Sequence, residues 1–332
     1  MRLSLIVRLV AVAGVAVAEN RQAVPDRYYN TFSHTNPVFL RIKPGDIVVT
    51  KTLDSGGMDD HGRSRATGGN PLSGPFYVEN AEPGDAILVH LRKVRMNRNW
   101  GSTSYRLAPF SVMPEFVESM YPNHYKPDVV RKGRDNILPW DLDLKTNMVK
   151  LREPVSSRIR LEFPAHPMLG CIGVAAPGDF SPTSGPSGSY GGNLDYNEIG
   201  EGATVILPVY HKGALLFMGD GHAIMADGEP TGTGVETSMD VEFSVEIKKN
   251  AHVNGPRVET ADYIISLGAQ AEFSSSLDRG LQMATTDMVR WLTGDLQLEP
   301  WAAHQLIGAV GKYDVVTVAG TMALRIPKKY LK

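Results

Sequence analysis

From about Val38 onward the apolar/polar pattern is strand-like in segment after segment, and the three-and-four spacing of a helix is rare before residue 275. The clearest instance is Met239, Val241, Phe243, Val245 and Ile247, which alternate with Asp240, Glu242, Ser244 and Glu246. Alternation sends successive side chains to opposite faces, so such a segment is a strand with one face buried and one wet. The chain also carries 33 glycines and 22 prolines, the composition of a mainly β protein with many turns. Lys43-Pro44-Gly45-Asp46 before Ile47-Val48-Val49, and Glu82-Pro83-Gly84-Asp85 before Ala86-Ile87-Leu88-Val89, each read as a type II turn opening a strand. Proline presets φ at the first central position, and glycine accepts a positive φ at the second.

The same reading predicts a half-buried strand over 158–163. It predicts a hairpin over 203–218, with Val205-Ile206-Leu207 and Leu215-Leu216-Phe217 on either side of Lys212-Gly213. Residues 96–150, rich in Trp, Tyr, Pro and Asn, read as loops and short strands. Helical spacing arrives late, at Leu277, Leu281, Ala284, Met288 and Leu292, with Ser275 and Asp278 as a capping box and Gly294 as the stop. A shorter helix from Pro300 and a strand over 315–318 close the chain.

A chain of 332 residues has room for two or three subdomains. The pattern divides into 1–18, a β-rich part over 19–164, a second over 165–250, and an α+β part over 251–332. A net charge of −2 without any basic run argues against a nucleic-acid partner. Arg2 and Arg8, an apolar run from Leu9 and the ending Ala16-Val17-Ala18 describe a signal peptide cleaved before Glu19. Export to the periplasm or beyond is therefore expected, with the cytoplasm the location if this run is instead a first strand. The run is too short to span a bilayer, and no later segment reads as a transmembrane anchor. Cys171, the single cysteine, sits in an apolar run and reads as a small buried side chain rather than a nucleophile.

The chemistry gathers in residues 191–237, where Asp195, Asp220, Asp227, Glu229 and Glu236 accompany His222 among many glycines. Asp220 and His222 are two residues apart at the end of an apolar run, so in extended backbone they share a face. Asp227 and Glu229 repeat that spacing, although Asp-Gly and Gly-Glu pairs also make ordinary turns. Carboxylate oxygens beside an imidazole nitrogen suit zinc or another divalent ion, and an oxygen-rich loop also suits Ca2+. His222 lies between Gly221 and Ala223 and has little bulk beside it to pack against.

Several motifs here carry a family resemblance. Gly191-Gly192-Asn193-Leu194-Asp195, Leu207-Pro208-Val209, Gly219-Asp220-Gly221-His222-Ala223 and Asp227-Gly228-Glu229 resemble the acetamidase/formamidase family. Ser33-His34-Thr35, Gly74-Pro75-Phe76-Tyr77-Val78-Glu79 and Leu169-Gly170-Cys171-Ile172-Gly173 match its earlier motifs in order. The resemblance implies hydrolysis of short linear amides to a carboxylate and ammonia. It also implies β-sandwich and β-barrel-like subdomains with a small C-terminal α+β part, a divalent metal and a homo-oligomer. On this reading Asp195, Asp220, His222 and His34 hold the metal, Zn2+ with Ca2+ as the alternative, while Glu229, Glu236 or Glu79 transfers the proton. One departure stands out: where relatives often read His-Ala-Ala-Gln-Gly-Asp-Gly-Glu, this chain has His222-Ala223-Ile224-Met225-Ala226-Asp227-Gly228-Glu229. The competing reading is an exported, non-catalytic β-sandwich that binds a ligand or carbohydrate and holds structural calcium. It rests on the aromatic stretch over 97–140.

Overall fold

Met239–Lys248, the most regular alternation in the sequence, lies inside a nine-stranded sheet, between Ile47–Lys51 and Ala86–Met96 and antiparallel to both. The computed structural model describes residues 19–116, 130, 132, 136–269 and 276–331, so the segment read as a signal peptide lies outside the described residues. Beyond Ala86–Met96 the sheet continues through Thr204–Pro208, Arg257–Glu259, Tyr263–Gly268, Thr321–Pro327 and Lys312–Thr317. Its members come from all three segments 19–164, 165–250 and 251–332.

An eleven-stranded sheet packs against it. Its middle is Met168–Val174 flanked by Gly191–Asn193 and Leu216–His222, followed by Glu236–Thr237 and Trp100–Ser104. Met168–Val174 is buried at every position, which suits a central strand covered on both faces. The sheets meet through aromatic side chains: Phe76 of one contacts Phe243 of the other edge-on, with ring centroids 5.1 Å apart and planes at 73°. The fold is thus mainly β, with a small helical part at its C-terminal end.

Both turns form as read. Asp46 N–H donates to Lys43 O and Asp85 N–H to Glu82 O, each at 3.0 Å, with Gly45 at φ 90° and Gly84 at φ 91°. The side chains of Asp46 and Asp85 accept from Lys43 and Glu82 N–H, which closes each turn a second time.

Other elements differ from the sequence reading for identifiable reasons. Thr204–Pro208 and Leu216–His222 are strands, but they belong to different sheets and do not form a hairpin. Ala214 and Leu215 both adopt positive φ (57° and 60°), and Gly213 N–H donates to Ala81 O, so the chain is carried across to the other layer. Only Glu162 and Phe163 of the predicted 158–163 strand fall in a strand, Glu162–Pro164, because the Ser156 hydroxyl accepts from Arg158 and Ile159 N–H and holds a turn. The first helix, Leu277–Arg290, is capped by Ser276, whose hydroxyl accepts from Arg279 N–H. Ser275 lies outside the described residues. This helix runs on through Gly294 in a π-helical turn, Trp291–Asp295, and the positive φ that ends it belongs to Gln297 (55°). A second helix, Pro300–Val310, begins on its proline, and the last strand read from the sequence is one arm of a hairpin, Lys312–Thr317 with Thr321–Pro327. No helix among the described residues is long and apolar enough to cross a membrane.

Candidate metal centre

Two paired strands and the segments that follow Gly191–Asn193 and Leu216–His222 converge on one buried point. His222 and Glu236 are direct partners in the antiparallel ladder, which places His222 Nε2 3.1 Å from Glu236 Oε1, close but not aligned as a hydrogen bond. Asp220 Oδ1 lies 3.6 Å from the same nitrogen. Asp220 has a φ of 55° inside its strand, so it reaches His222 through a local kink and not through the shared face of an extended backbone. Asp195 follows Gly191–Asn193, also with positive φ (46°), and its N–H donates to Gly170 O at 3.1 Å. Glu229 (φ 47°) enters from the following loop. Left-handed backbone at three acidic residues costs of order 1 kcal/mol each, strain that clusters at functional sites.

Two overlapping ligand groups result, Asp195–Asp220–His222 and His222–Glu229–Glu236, and within each one ligand atom per residue lies within 4.8 Å of the others. Gly170, opposite Asp220, makes the first group sterically feasible. A Cβ there would stand 2.5 Å from Asp195 Oδ1 and 2.6 Å from Asp220 Oδ2, nearer than such atoms can approach. Gly234 plays the same part for the imidazole, since its Cβ would lie 2.5 Å from His222 Cγ.

The surrounding residues fix the carboxylates from behind. Asn70 Nδ2 donates to Asp220 Oδ2 at 3.2 Å and to Asn193 Oδ1 at 3.0 Å, and Asn193 Nδ2 donates to Asp195 Oδ2. The Cys171 thiol donates to Asn193 Oδ1 at 2.9 Å, and burial pushes its pKa well up, so it serves as a neutral buried donor. Ser55 stands near enough to Glu236 to favour its ionised form, the smallest of the influences on that carboxyl. Arg98 is buried behind Glu236, but its guanidinium is already committed to Asp54 Oδ2 (2.6 Å), Trp100 O and Asp59 O.

The inner faces of these groups have no partners. Asp195 Oδ1, Asp220 Oδ1, Glu236 Oε2 and both nitrogens of His222 are buried without a hydrogen bond, in residues at most 6% exposed. Buried anions this crowded need a cation or protons. Burial, followed by the charges of Glu229 and Asp220, drives the Asp195 carboxyl well above the ordinary range. Burial and the neighbouring acids raise Glu229 to about 8 and Glu236 to about 7. Burial opposes charge on His222, but Glu236 and Asp220 outweigh it and raise that imidazole well above its usual value. Oxygen and imidazole donors with orphaned inward atoms, in a cradle that a Cβ would fill, fit a divalent cation.

These shifts have a consequence for stability. Without a cation, the folded chain keeps protons on Glu229 and Glu236 that the unfolded chain releases above their usual 4.5. Their contribution is therefore present at low pH and is lost as pH rises through about 7 to 8. In chelator, Glu229→Gln should melt above wild type near pH 8, with the difference shrinking toward pH 5. Denaturation curves at the two pH values measure it, and a pH-independent difference would contradict the shared burial of these acids.

Among the other residues singled out by sequence, Asp227 is exposed and accepts from Asn197 Nδ2, facing away from the cluster. His34 is not brought to the ligand groups; its ring stacks on His211 at 4.6 Å, with Nε2 3.8 Å from the exposed Asp179. Glu79 follows the Val78 end of Leu72–Val78, whereas the Leu72 end pairs with Gly219 beside Asp220. Seven residues of strand put Glu79 about 20 Å from the cluster. Ile224 packs on the main core and Met225 is buried. In the stretch read as an aromatic platform, Trp140 is buried with its Nε1 donating to Thr103, and Trp100 lies 3.5 Å under the Arg98 guanidinium. Asn70, Arg98, Ser55 and Gly170 have no sequence-local signal that marks them as partners of this site.

Residues 160–278, which contain every member of both ligand groups, match the model of the acetamidase/formamidase family. A Schizosaccharomyces pombe protein provisionally named a formamidase is 24% identical over 213 residues, 54% of this chain and 52% of its own. The chain thus spans about half the length of that curated relative. The crystal structure of an acetamidase from Yersinia enterocolitica superposes with a TM-score of 0.76 at 24% identity, covering 97% of this chain and 96% of that one. A predicted acetamidase/formamidase from Thermoanaerobacter tengcongensis does so with a TM-score of 0.72 at 28% identity, over 95% and 97% of the two chains.

Proposed function

We propose that this chain, which belongs to the acetamidase/formamidase family, hydrolyses a short linear amide to a carboxylate and ammonia with the help of a divalent cation. The observation that carries the reading is the set of buried, unpartnered oxygens of Asp195 and Asp220 facing His222 around Gly170. Asp195, Asp220 and His222 hold the ion, and their mixture of carboxylate and imidazole favours zinc over calcium. A cation held there supplies Lewis acidity, which polarises a carbonyl and makes water nucleophilic near neutral pH. Glu236, opposite His222 with an unpartnered buried oxygen, takes the proton from the attacking water. Glu229, grouped with His222 and Glu236, supplies the proton to the leaving amine. Asn70 and Asn193 hold Asp220 and Asp195 at the spacing the ion requires.

Ile224 and Met225 stand where the family often has Ala-Gln, but Ile224 packs on the core and Met225 is buried, so the choice among formamide, acetamide and propionamide is left to assay. The test is ammonia release from these three amides by purified protein, first with chelator and then with zinc restored. Release that disappears with chelator and returns with zinc is expected. No ammonia from any of the three with the metal restored would sink the proposal.

A further inference from the structure

Two strands carry Asp220, His222 and Glu236, while Asp195 and Glu229 lie on the segments after Gly191–Asn193 and Leu216–His222, and the C-terminal hairpin, Lys312–Thr317 with Thr321–Pro327, touches both of those segments. Asp314 Oδ2 accepts from the Tyr196 hydroxyl at 2.8 Å, and both residues are buried. Tyr196 directly follows Asp195, whose left-handed backbone has to be held in place. Arg325 bridges the other oxygen of Asp314 at 3.2 Å and Glu198 at 3.3 Å, fastening the same turn. On the other side, Val318 N–H donates to Gly228 O at 2.8 Å, next to Glu229. At the hairpin tip, Thr321 shares a hydrogen bond with Ser187, on the strand that pairs with Gly191–Asn193.

We infer that this hairpin is a positioning element of the site, and that Asp314 is a positioning residue that sets Asp195 through Tyr196. Without the Asp314 anchor, the Tyr196 hydroxyl is buried and unpaired, and the 194–198 turn can relax out of its strained geometry. Asp195 then leaves the spacing that Gly170 makes available, although neither Asp314 nor Tyr196 touches the ion or the substrate. Through metal affinity the inference rests on the proposed metal site. Cys171, the single cysteine, provides a readout that does not, because its buried thiol contacts Asn193 on the strand leading to Asp195.

The experiment compares wild type with Asp314→Ala, Asp314→Asn, Tyr196→Phe and Tyr313→Phe as full chains. Zinc affinity is measured by competition with a chromophoric chelator, and Cys171 alkylation by iodoacetamide is timed on native protein in excess chelator. Asp314→Ala and Tyr196→Phe should each lose about tenfold in zinc affinity and alkylate about tenfold faster. Asp314→Asn, which keeps an acceptor for Tyr196, should stay near wild type. So should Tyr313→Phe, whose hydroxyl meets Thr285 on the exposed side of the same strand. If wild type binds no zinc, the metal reading fails and the Cys171 rates alone decide. If Asp314→Ala does not fold, Tyr196→Phe decides. Cys171 rates equal to wild type, or rates that merely follow global unfolding stability, would overturn the inference.

Discussion

Replacing His222 by alanine is expected to lower kcat/KM for the best amide by at least about a thousandfold, some 4 kcal/mol of transition-state stabilisation. The imidazole is the one member common to both ligand groups, so its loss removes the proposed metal ligand and, in the metal-free chain, the cationic neighbour of Glu236. The protein should still fold. The carboxylates left behind take up protons, and the stability lost should be larger near pH 8 than near pH 5, for the reason given for Glu229. Ammonia release measured beside a thermal melt separates the two effects. A folded His222→Ala protein that turns over like wild type would clear His222 of any part in the reaction.

Gly170→Ala should be nearly as damaging, although it removes no functional group. Its φ lies in the ordinary range for a strand, so alanine costs the backbone nothing there. The whole effect comes from one methyl group standing 2.5 Å from Asp195 Oδ1, 2.6 Å from Asp220 Oδ2 and 3.0 Å from Asp220 O. The two carboxylates must part or the strand must shift, and either change spoils the geometry of the first ligand group. Zinc affinity should fall by about a hundredfold, at the upper end of what altered support of a ligand shell costs, and activity with it. A chelator competition on the variant measures this. Unchanged affinity would mean that Asp195 and Asp220 do not share an ion.

Much of the fold was legible because alternation is a local property. The Met239–Lys248 strand, the two Pro-Gly turns and the late helices follow from residues within one segment. Alternation does not say which sheet a strand joins, and this is why Thr204–Pro208 and Leu216–His222 read as a hairpin. Their separation depends on positive φ at Ala214 and Leu215, residues that seldom adopt it.

The site was legible in part for a similar reason. Asp195, Asp220, His222, Glu229 and Glu236 lie within one stretch and meet, but Asp220 reaches His222 through a kink that no spacing rule encodes. Asn70 lies 150 residues from the Asp220 it supports, and Gly170 acts through the side chain it lacks. His34 and Glu79 sit in motifs of the right order along the chain. Order does not bring a side chain into contact, and the sheet carries Glu79 away along the length of Leu72–Val78.

On the proposed function, Asp195, Asp220 and His222 together hold one divalent cation in a buried pocket that otherwise holds protons. Calorimetric titration of zinc into chelator-stripped protein near pH 7, run in buffers of different ionisation enthalpy, tests it most directly. One zinc per chain is expected, with protons released on binding because the ion displaces them from the cluster. Asp195→Ala should abolish the binding. No saturable binding, or binding that releases no protons and survives the loss of Asp195, would contradict it.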